Sequence, residues 1–302
     1  MATVLAQLAK GAHVGIVRLR SLGDCVLTTP AIALLKRFRS DLRIGVVVEP
    51  RFAAVFEGNP DIHDVLFPDA LKLRQFSPRL CLNLHGGTRS LLLTLASGAK
   101  YRAGFGHYRY SGLYNVAIPR AQEILGVDRK VHTAEHLASA MFFLGVPPEE
   151  IPRAFLPARK LKSATPYAVI HPMASSPEKA WPADRFLQLA RHLFRECDLE
   201  PIFIGTPNED LTPFRHFRVF TGPLEETKSL IASAAFFVGN DSGPAHMAAA
   251  LGIPLVVMFG CSDPVVWAPW RANAESITGE GGVQSIQVAD LITALDRFRV
   301  KA

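Results

Sequence analysis

A repeated alternation of apolar runs and helical segments constrains this chain more than any other feature of its sequence. Short runs rich in β-branched residues are followed by loops containing glycine and hydroxyl side chains, and then by segments with helical periodicity. Residues 13–19 form the first such run, and residues 167–171 restart the same order in the second half. This order predicts parallel βαβ units, and therefore an α/β fold with doubly wound sheets.

A proline-rich segment divides the alternation into two halves. Residues 145–166 contain five prolines, which are poorly tolerated inside helices and central strands. A chain of 302 residues is long enough for about two domains of ordinary size. We therefore expect two Rossmann-like domains, residues 1–160 and 161–302. Ligands are expected at the carboxyl ends of the strands, in the cleft between the domains.

Composition excludes several other classes of protein. Hydrophobic residues make up 49% and charged residues 20%, as in ordinary globular proteins, and no run of 18 apolar residues predicts a membrane span. The four cysteines show neither a CxxC pair nor a zinc-binding spacing, so we expect free thiols, a reducing compartment and no metal site. No basic segment precedes the apolar patch near the N-terminus, and we predict no signal peptide. The net charge of +6 favours an anionic ligand or surface without requiring nucleic acid.

The first candidate loop, residues 20–24, follows the first predicted strand. It contains no GxGxxG pattern, so the dinucleotide fingerprint is missing. Asp24 stands at the mouth of the predicted sheet, where a carboxylate can act as a general base. The alternative is that Asp24 only caps a helix, which we expect to open at Thr28 with Pro30 in its first turn.

The second candidate loop, residues 173–182, lies between a predicted strand and a helix. Its small and hydroxyl residues, among them Ser175, stand close to Lys179. Hydroxyl and backbone N–H groups donate hydrogen bonds to phosphate oxygens, and a lysine adds a point charge. The alternative is a solvated loop. Trp181 is expected to pack in the core rather than stack on a ligand.

The third candidate loop, residues 239–246, again joins a buried strand to a helix. Gly239 and Gly243 allow the backbone to approach a ligand closely. Ser242 and the N–H groups at the start of the helix have the chemistry to hold a diphosphate.

Two further side chains of this loop need separate explanations. Asp241 would repel a phosphate, so we expect it to accept a hydrogen bond from a sugar hydroxyl or to pair with Lys179. His246 lies on the first helical turn and is interpreted either as a packing residue or as part of the same site.

Arg89 and Glu209 are the remaining candidates. Arg89 follows a first-half strand, where it can meet an anionic acceptor, and Glu209 can bind ribose hydroxyls. A solvated surface position is the alternative for both residues.

Taken in order, four segments of the chain resemble glycosyltransferase family 9, the bacterial lipopolysaccharide heptosyltransferases. The segments are VRLRSLGDCVLTTPAIALLKR, NLHGGTRSLLLTLASGAKYRAGFG, IHPMASSPEKAWPADRF and GPLEETKSLIASAAFFVGNDSGPAHMAAALGIPLVVMFG. The resemblance implies the GT-B fold, in which two Rossmann-like domains face each other across a cleft. It also implies metal-independent transfer of a heptose, usually from ADP-heptose, with inversion at the anomeric carbon.

The resemblance also implies a role for each candidate residue. Asp24 would be the base, Arg89 would bind the acidic acceptor in the N-terminal domain, and the C-terminal domain would bind the nucleotide sugar. The donor-binding residues would be Ser175, Lys179, Asp241, Ser242, Gly243 and His246, together with Glu209 on the reading given above.

Partners and location follow from the same resemblance. It implies a nucleotide-sugar donor, no further cofactor, an acceptor in the acidic inner core of lipopolysaccharide and no nucleic acid. The enzyme would work in the cytoplasm, peripherally at the inner membrane. Two other functions stay open: a non-catalytic nucleotide-sugar or glycan binding protein on the same fold, and an NAD-dependent dehydrogenase, which the missing GxGxxG disfavours.

Overall fold

The computed structural model describes residues 3–299, which divide into two compact units with the boundary between Pro157 and Ala158. A helix ends at Leu144 and the next strand begins at Tyr167. The proline-rich residues between them form neither helix nor strand, because proline supplies no N–H group for a ladder or a helical turn.

The first unit contains a six-stranded parallel sheet with the order β3-β2-β1-β4-β5-β6. Its strands are β1 (His13–Val17), β2 (Arg43–Val47), β3 (Asp64–Leu66), β4 (Leu80–Asn83), β5 (Tyr101–Phe105) and β6 (Val116–Ile118). Its helices are α1 (Leu22–Phe38), α2 (Ala70–Phe76), α3 (Thr88–Ala96), α4 (Ala121–Leu125) and α5 (Thr133–Leu144). Short 3₁₀ turns lie at Leu5–Gln7, Pro50–Val55 and Ser111–Leu113.

The second unit contains another six-stranded parallel sheet with the order β12-β11-β10-β7-β8-β9. Its strands are β7 (Tyr167–His171), β8 (Glu200–Ile204), β9 (Arg218–Phe220), β10 (Phe236–Asn240), β11 (Leu255–Phe259) and β12 (Ala274–Thr278). Its helices are α6 (Ala183–Glu196), α7 (Leu224–Ala232), α8 (Gly243–Leu251), α9 (Pro264–Trp267) and α10 (Val288–Arg299), with 3₁₀ turns at Pro177–Lys179, Thr212–Phe214 and Val283–Ser285.

The two sheets have the same topology. Counted along the chain within each unit, both sheets have the strand order 3-2-1-4-5-6 of the Rossmann fold. The central strands of the second sheet, β7, β10 and β11, are buried along their whole length, which is why the sequence shows continuous apolar runs there. The prediction of two Rossmann-like α/β domains is therefore confirmed.

The predicted start of the first helix is wrong. α1 begins at Leu22, so that Thr28 and Pro30 lie inside it. The ring nitrogen of Pro30 cannot donate to the carbonyl group of Val26, four residues earlier. The Thr29 hydroxyl donates to that carbonyl at 2.8 Å instead, which satisfies the acceptor and allows the helix to continue.

Candidate functional site

The predicted site residues all follow the carboxyl ends of strands, the edge at which open α/β sheets bind ligands. In the first unit, Asp24 follows β1 and Arg89 follows β4. In the second unit, the candidates follow β7, β8 and β10; they are Ser175, Lys179, Glu209, Asp241, Ser242, Gly243 and His246. Each unit therefore carries its own group of polar side chains.

An ion pair between Arg18 and Asp24 lies at the carboxyl edge of the first sheet. Nη1 of Arg18 is 3.5 Å from Oδ1 of Asp24. The other carboxylate oxygen accepts hydrogen bonds from the Ser21 hydroxyl at 3.0 Å and from the Ser21 N–H at 3.4 Å. The Arg18 side chain is 6% exposed and that of Asp24 is 23% exposed. The carboxylate is thus held through both oxygens and still reaches the surface.

The two interpretations of Asp24 are compatible with each other. Asp24 is the third residue of α1 and forms a capping box with Ser21, so it does cap a helix, although one that begins at Leu22. Its partial exposure leaves it available to a ligand as well. The catalytic role of Asp24 stays a prediction.

Arg18 is a residue that the sequence analysis missed. It follows β1 directly, and its Nε is buried without a hydrogen-bond partner. Burial, followed by the charges of His107 and Arg18, lowers the pKa of His136 to about 4. Burial and the charge of Arg18 also lower the pKa of His85. The imidazole of His136 is therefore neutral at pH 7, and Asp24 is the carboxylate that pairs with Arg18.

Arg89 lies at the same edge, beside a second carboxylate. Its Nη1 is 3.2 Å from Oε1 of Glu49, and the Arg89 side chain is largely exposed. The loop that precedes Arg89 is ordered by Asn83, whose amide oxygen accepts the backbone N–H groups of His85 and Gly86 at 3.0 and 3.1 Å. Arg89 is therefore placed on a defined loop, and its role in acceptor binding stays a prediction.

A second ion pair lies at the carboxyl edge of the second sheet. Nζ of Lys179 is 3.4 Å from Oδ2 of Asp241, which is one of the two interactions predicted for this aspartate. The same oxygen accepts a hydrogen bond from the Ser262 hydroxyl at 2.5 Å. The Asp241 side chain is 9% exposed and that of Lys179 is 26% exposed. Ser262, which follows β11, is a further residue that the sequence analysis missed.

The loop that carries Lys179 is fixed by contacts with two neighbouring strand ends. The side-chain amide of Asn240 donates to the carbonyl group of Pro172 at 2.8 Å and accepts the N–H of Trp181 at 3.0 Å. A Cβ atom on Gly260 would clash with the carbonyl oxygen of Glu178, so this position requires glycine. Trp181 is buried in the core, as predicted.

His171 and Ser242 form a third polar contact in the second unit. Nδ1 of His171 lies 3.0 Å from the hydroxyl of Ser242, the residue that precedes α8. Burial lowers the pKa of His171 to about 4, so the ring is neutral at pH 7. Gly243 is the first residue of α8, and His246 is buried in its first turn.

Glu209 and Ser175 have less defined surroundings. Oε2 of Glu209 accepts the backbone N–H of Thr206 at 2.6 Å, which closes the turn after β8. Ser175 is exposed in the loop after β7. Their roles in donor binding stay predictions.

Gly239 is required for a structural reason that the sequence analysis did not give. A Cβ atom on Gly239 would lie 2.9 Å from the carbonyl oxygen of His171 on the adjacent strand β7. This glycine is needed for close strand packing, and its part in the approach of a ligand stays a prediction.

Metal ligands and membrane spans were searched for over the described part of the chain. Residues 3–299 contain no group of three or more His, Cys, Asp or Glu side chains that could hold a metal ion. No helix within the same residues combines the length and the apolar character needed to cross a bilayer. All four cysteines are free, and burial raises the pKa of the Cys25 thiol to about 12.

Comparison with known families decides the class of the protein. A profile of glycosyltransferase family 9 (heptosyltransferase) matches residues 70–288, which is most of the chain. The chain belongs to this family. As a family 9 glycosyltransferase it is an enzyme, and this decides against the dehydrogenase and the non-catalytic binding protein.

Individual relatives agree with this assignment. The family 9 chain is 26% identical to lipopolysaccharide heptosyltransferase 3 of Escherichia coli K12, over 83% of each chain. A solved glycosyl transferase of family 9 from Veillonella parvula superimposes with a TM-score of 0.83 at 21% identity, covering 96% of this chain and 98% of the other. For E. coli ADP-heptose lipopolysaccharide heptosyltransferase II the TM-score is 0.80 at 22% identity, covering 96% and 100%. The two structures show the GT-B fold of this enzyme.

Proposed function

We propose that this family 9 glycosyltransferase transfers a heptose from ADP-heptose to an acidic acceptor in the inner core of lipopolysaccharide, with inversion at the anomeric carbon. The names of its relatives support the donor and the pathway. The chemistry is carried by one observation. The first unit presents a carboxylate beside a buried guanidinium, whereas the second presents an ammonium beside a less exposed carboxylate.

Asp24 is the general base in this proposal. The acceptor hydroxyl oxygen forms a bond to the anomeric carbon while the bond from that carbon to the diphosphate oxygen breaks on the opposite face. The hydroxyl proton passes to Asp24 as the new bond forms. Proton transfer of this kind contributes about 10²–10⁴-fold to the rate. Arg18 and Ser21 hold the carboxylate in one orientation, which serves such a transfer.

Lys179 stabilises the departing nucleoside diphosphate. Its ammonium group is the more exposed partner of the Lys179–Asp241 pair and can bind phosphate oxygens. The Ser242 hydroxyl and the backbone N–H groups at the start of α8 add hydrogen-bond donors. Ser262 donates to Asp241 and so offsets a carboxylate that would otherwise repel the phosphates.

The remaining donor residues are assigned to the same proposed site of the second unit. In this proposal Ser175 binds phosphate, Glu209 accepts from the ribose hydroxyls, and Gly243 and His246 contribute to donor binding. No metal ion is assigned a part, since Lys179 and the N–H donors supply the positive charge.

Charge distribution supports an acidic acceptor on the first unit. Residues 1–157 carry 19 Lys and Arg against 12 Asp and Glu, whereas residues 158–302 carry 14 against 15. The formal charges are therefore +7 and −1. We assign acceptor binding to the first unit, with Arg89 as one contact, and donor binding to the second. Because such an acceptor is lipid-linked, we also propose that the enzyme works in the cytoplasm, peripherally at the inner membrane.

A transfer assay with defined substrates tests the proposal. The purified enzyme is incubated with ADP-heptose and a water-soluble, deacylated inner-core acceptor that contains 3-deoxy-octulosonate. Mass spectrometry should detect addition of one heptose, and NMR should show the inverted anomeric configuration. Thermal shifts with ADP, UDP and GDP test the base, because a bound nucleotide raises the unfolding temperature. Transfer from a uridine or guanosine sugar only, or a retained configuration, would refute the proposal.

A further inference from the structure

One long segment of the first unit lacks acidic residues altogether. Residues 70–122, from the start of α2 into α4, contain eight Lys and Arg and no Asp or Glu. Seven of the eight are exposed: Lys72, Arg74, Arg79, Arg89, Lys100, Arg109 and Arg120. The excess positive charge of the first unit is therefore concentrated at the surface of this segment.

Large apolar side chains are exposed within the same segment. The loop after β5, residues 106–113, contains Tyr110, which is 50% exposed, and Leu113, which is 54% exposed. The guanidinium of Arg109 lies 4.9 Å from the centre of the Tyr110 ring. A leucine, an amphipathic aromatic ring and an arginine without a nearby acid are the residues that bind well at a lipid headgroup region.

The loop lies at the edge of the sheet that carries the proposed base. It leaves the carboxyl end of β5, which pairs with β4. The Tyr108 ring packs against Gly86, in the loop that precedes α3. Burial raises the pKa of the Tyr108 hydroxyl to about 12, with smaller contributions from the charges of Arg18, Tyr114 and Asp24. A surface bound through this loop would therefore lie at the same edge of the sheet as Asp24 and Arg89.

We propose that one exposed surface binds the enzyme to an anionic lipid bilayer. This docking surface consists of Arg109, Tyr110 and Leu113. The arginine attracts anionic headgroups. Binding is also favoured because the tyrosine ring and the leucine transfer from water to the apolar boundary of the bilayer. A soluble sugar acceptor offers no apolar phase to Leu113, which is why the observations favour lipid. The inference deepens the proposed function, since the acceptor of such an enzyme is lipid-anchored.

Vesicle flotation tests this docking surface without any measurement of catalysis. The wild-type enzyme is mixed with vesicles of phosphatidylcholine containing phosphatidylglycerol, and separately with phosphatidylcholine alone. The variant Arg109→Gln/Tyr110→Asn/Leu113→Ser removes the three side chains, and asparagine suits the left-handed backbone at Tyr110 (φ 62°). We expect wild-type binding to the anionic vesicles only, and a loss of at least about tenfold in the variant.

The matched control is Arg191→Gln/Phe194→Ser/Arg195→Gln on α6. These residues are also exposed and combine one aromatic ring with two cations, one cation more than the docking surface, but they belong to the unit with no positive excess. The control should bind vesicles like the wild type. Three results would overturn the inference. Vesicle binding could fall equally in both variants, or it could be unchanged in the docking variant. The wild-type enzyme could also fail to bind vesicles, or bind neutral and anionic vesicles equally.

Two further measurements separate this inference from the proposed function. Thermal unfolding confirms that both variants are folded. Transfer to the soluble, deacylated acceptor should be unchanged in the docking variant, because the docking surface does not include the residues assigned to the chemistry. A wild-type enzyme that fails to transfer heptose would contradict the proposed function, whereas its vesicle binding would still decide the docking surface.

Discussion

The two units of this enzyme carry ion pairs at equivalent edges, and the two pairs are inverted. In the first unit the cation is buried, with Arg18 at 6% exposure and Asp24 at 23%. In the second unit the anion is the less exposed partner, with Asp241 at 9% exposure and Lys179 at 26%. The less exposed partner of each pair follows a central strand of its own sheet, whereas its counter-ion is more exposed and can contact a ligand.

This inversion shows how one topology supports two kinds of chemistry. A buried charge needs a partner, because desolvation without one is costly. The buried member therefore holds the exposed member in place. Since the exposed member differs in sign, one unit presents a proton acceptor and the other a phosphate-binding cation.

The largest expected effect comes from removing the exposed carboxylate. Asp24→Asn keeps the side-chain volume but cannot take the acceptor proton, so we expect kcat to fall by about 10²–10⁴-fold. ADP affinity, measured by calorimetry, should stay unchanged. The matched variant is His85→Gln, which removes an imidazole whose pKa is lowered by burial and by the charge of Arg18, and it should retain most of the activity. Wild-type turnover in Asp24→Asn, or its loss in His85→Gln, would point to a different base.

Removing the exposed cation of the second unit should have the next largest effect. Lys179→Ala removes a charged hydrogen bond to the diphosphate, a loss of about 1.5–3 kcal/mol in ADP binding. Calorimetry with ADP measures this change directly. Lys162→Ala, an exposed lysine of the same unit, is the control and should bind like the wild type. An unchanged ADP affinity in Lys179→Ala would remove this residue from the donor site.

The smallest effect is expected from the buried cation of the first unit. Arg18→Met keeps an apolar stem and removes the charge that faces Asp24, and we expect kcat to fall on the order of tenfold with ADP affinity unchanged. Arg18→Lys retains a cation and should recover part of the rate. If Arg18→Met and Arg18→Lys have the same kcat and both variants unfold at the wild-type temperature, the charge of Arg18 does not act through Asp24.

Local patterns were sufficient to predict part of the fold and part of the site. The loops after β1, β7 and β10 were predicted because glycine and hydroxyl residues follow continuous apolar runs. The three-residue strands β6 and β9 were not predicted, because so short an element carries little periodicity. The true start of α1 was missed because proline was taken as a signal for a first turn, whereas Thr29 supports Pro30 inside the helix.

The sequence by itself determined the α/β class, the division into two halves and the residue types available for chemistry, because these depend on periodicity and on neighbours along the chain. Only the tertiary structure decided which charges meet and which of them are buried. Ser262 reaches Asp241 because β10 and β11 are adjacent in the second sheet. Arg18 is buried because β1 lies at the centre of the first. Strand order and burial join residues that are distant in the chain, and no local pattern encodes them.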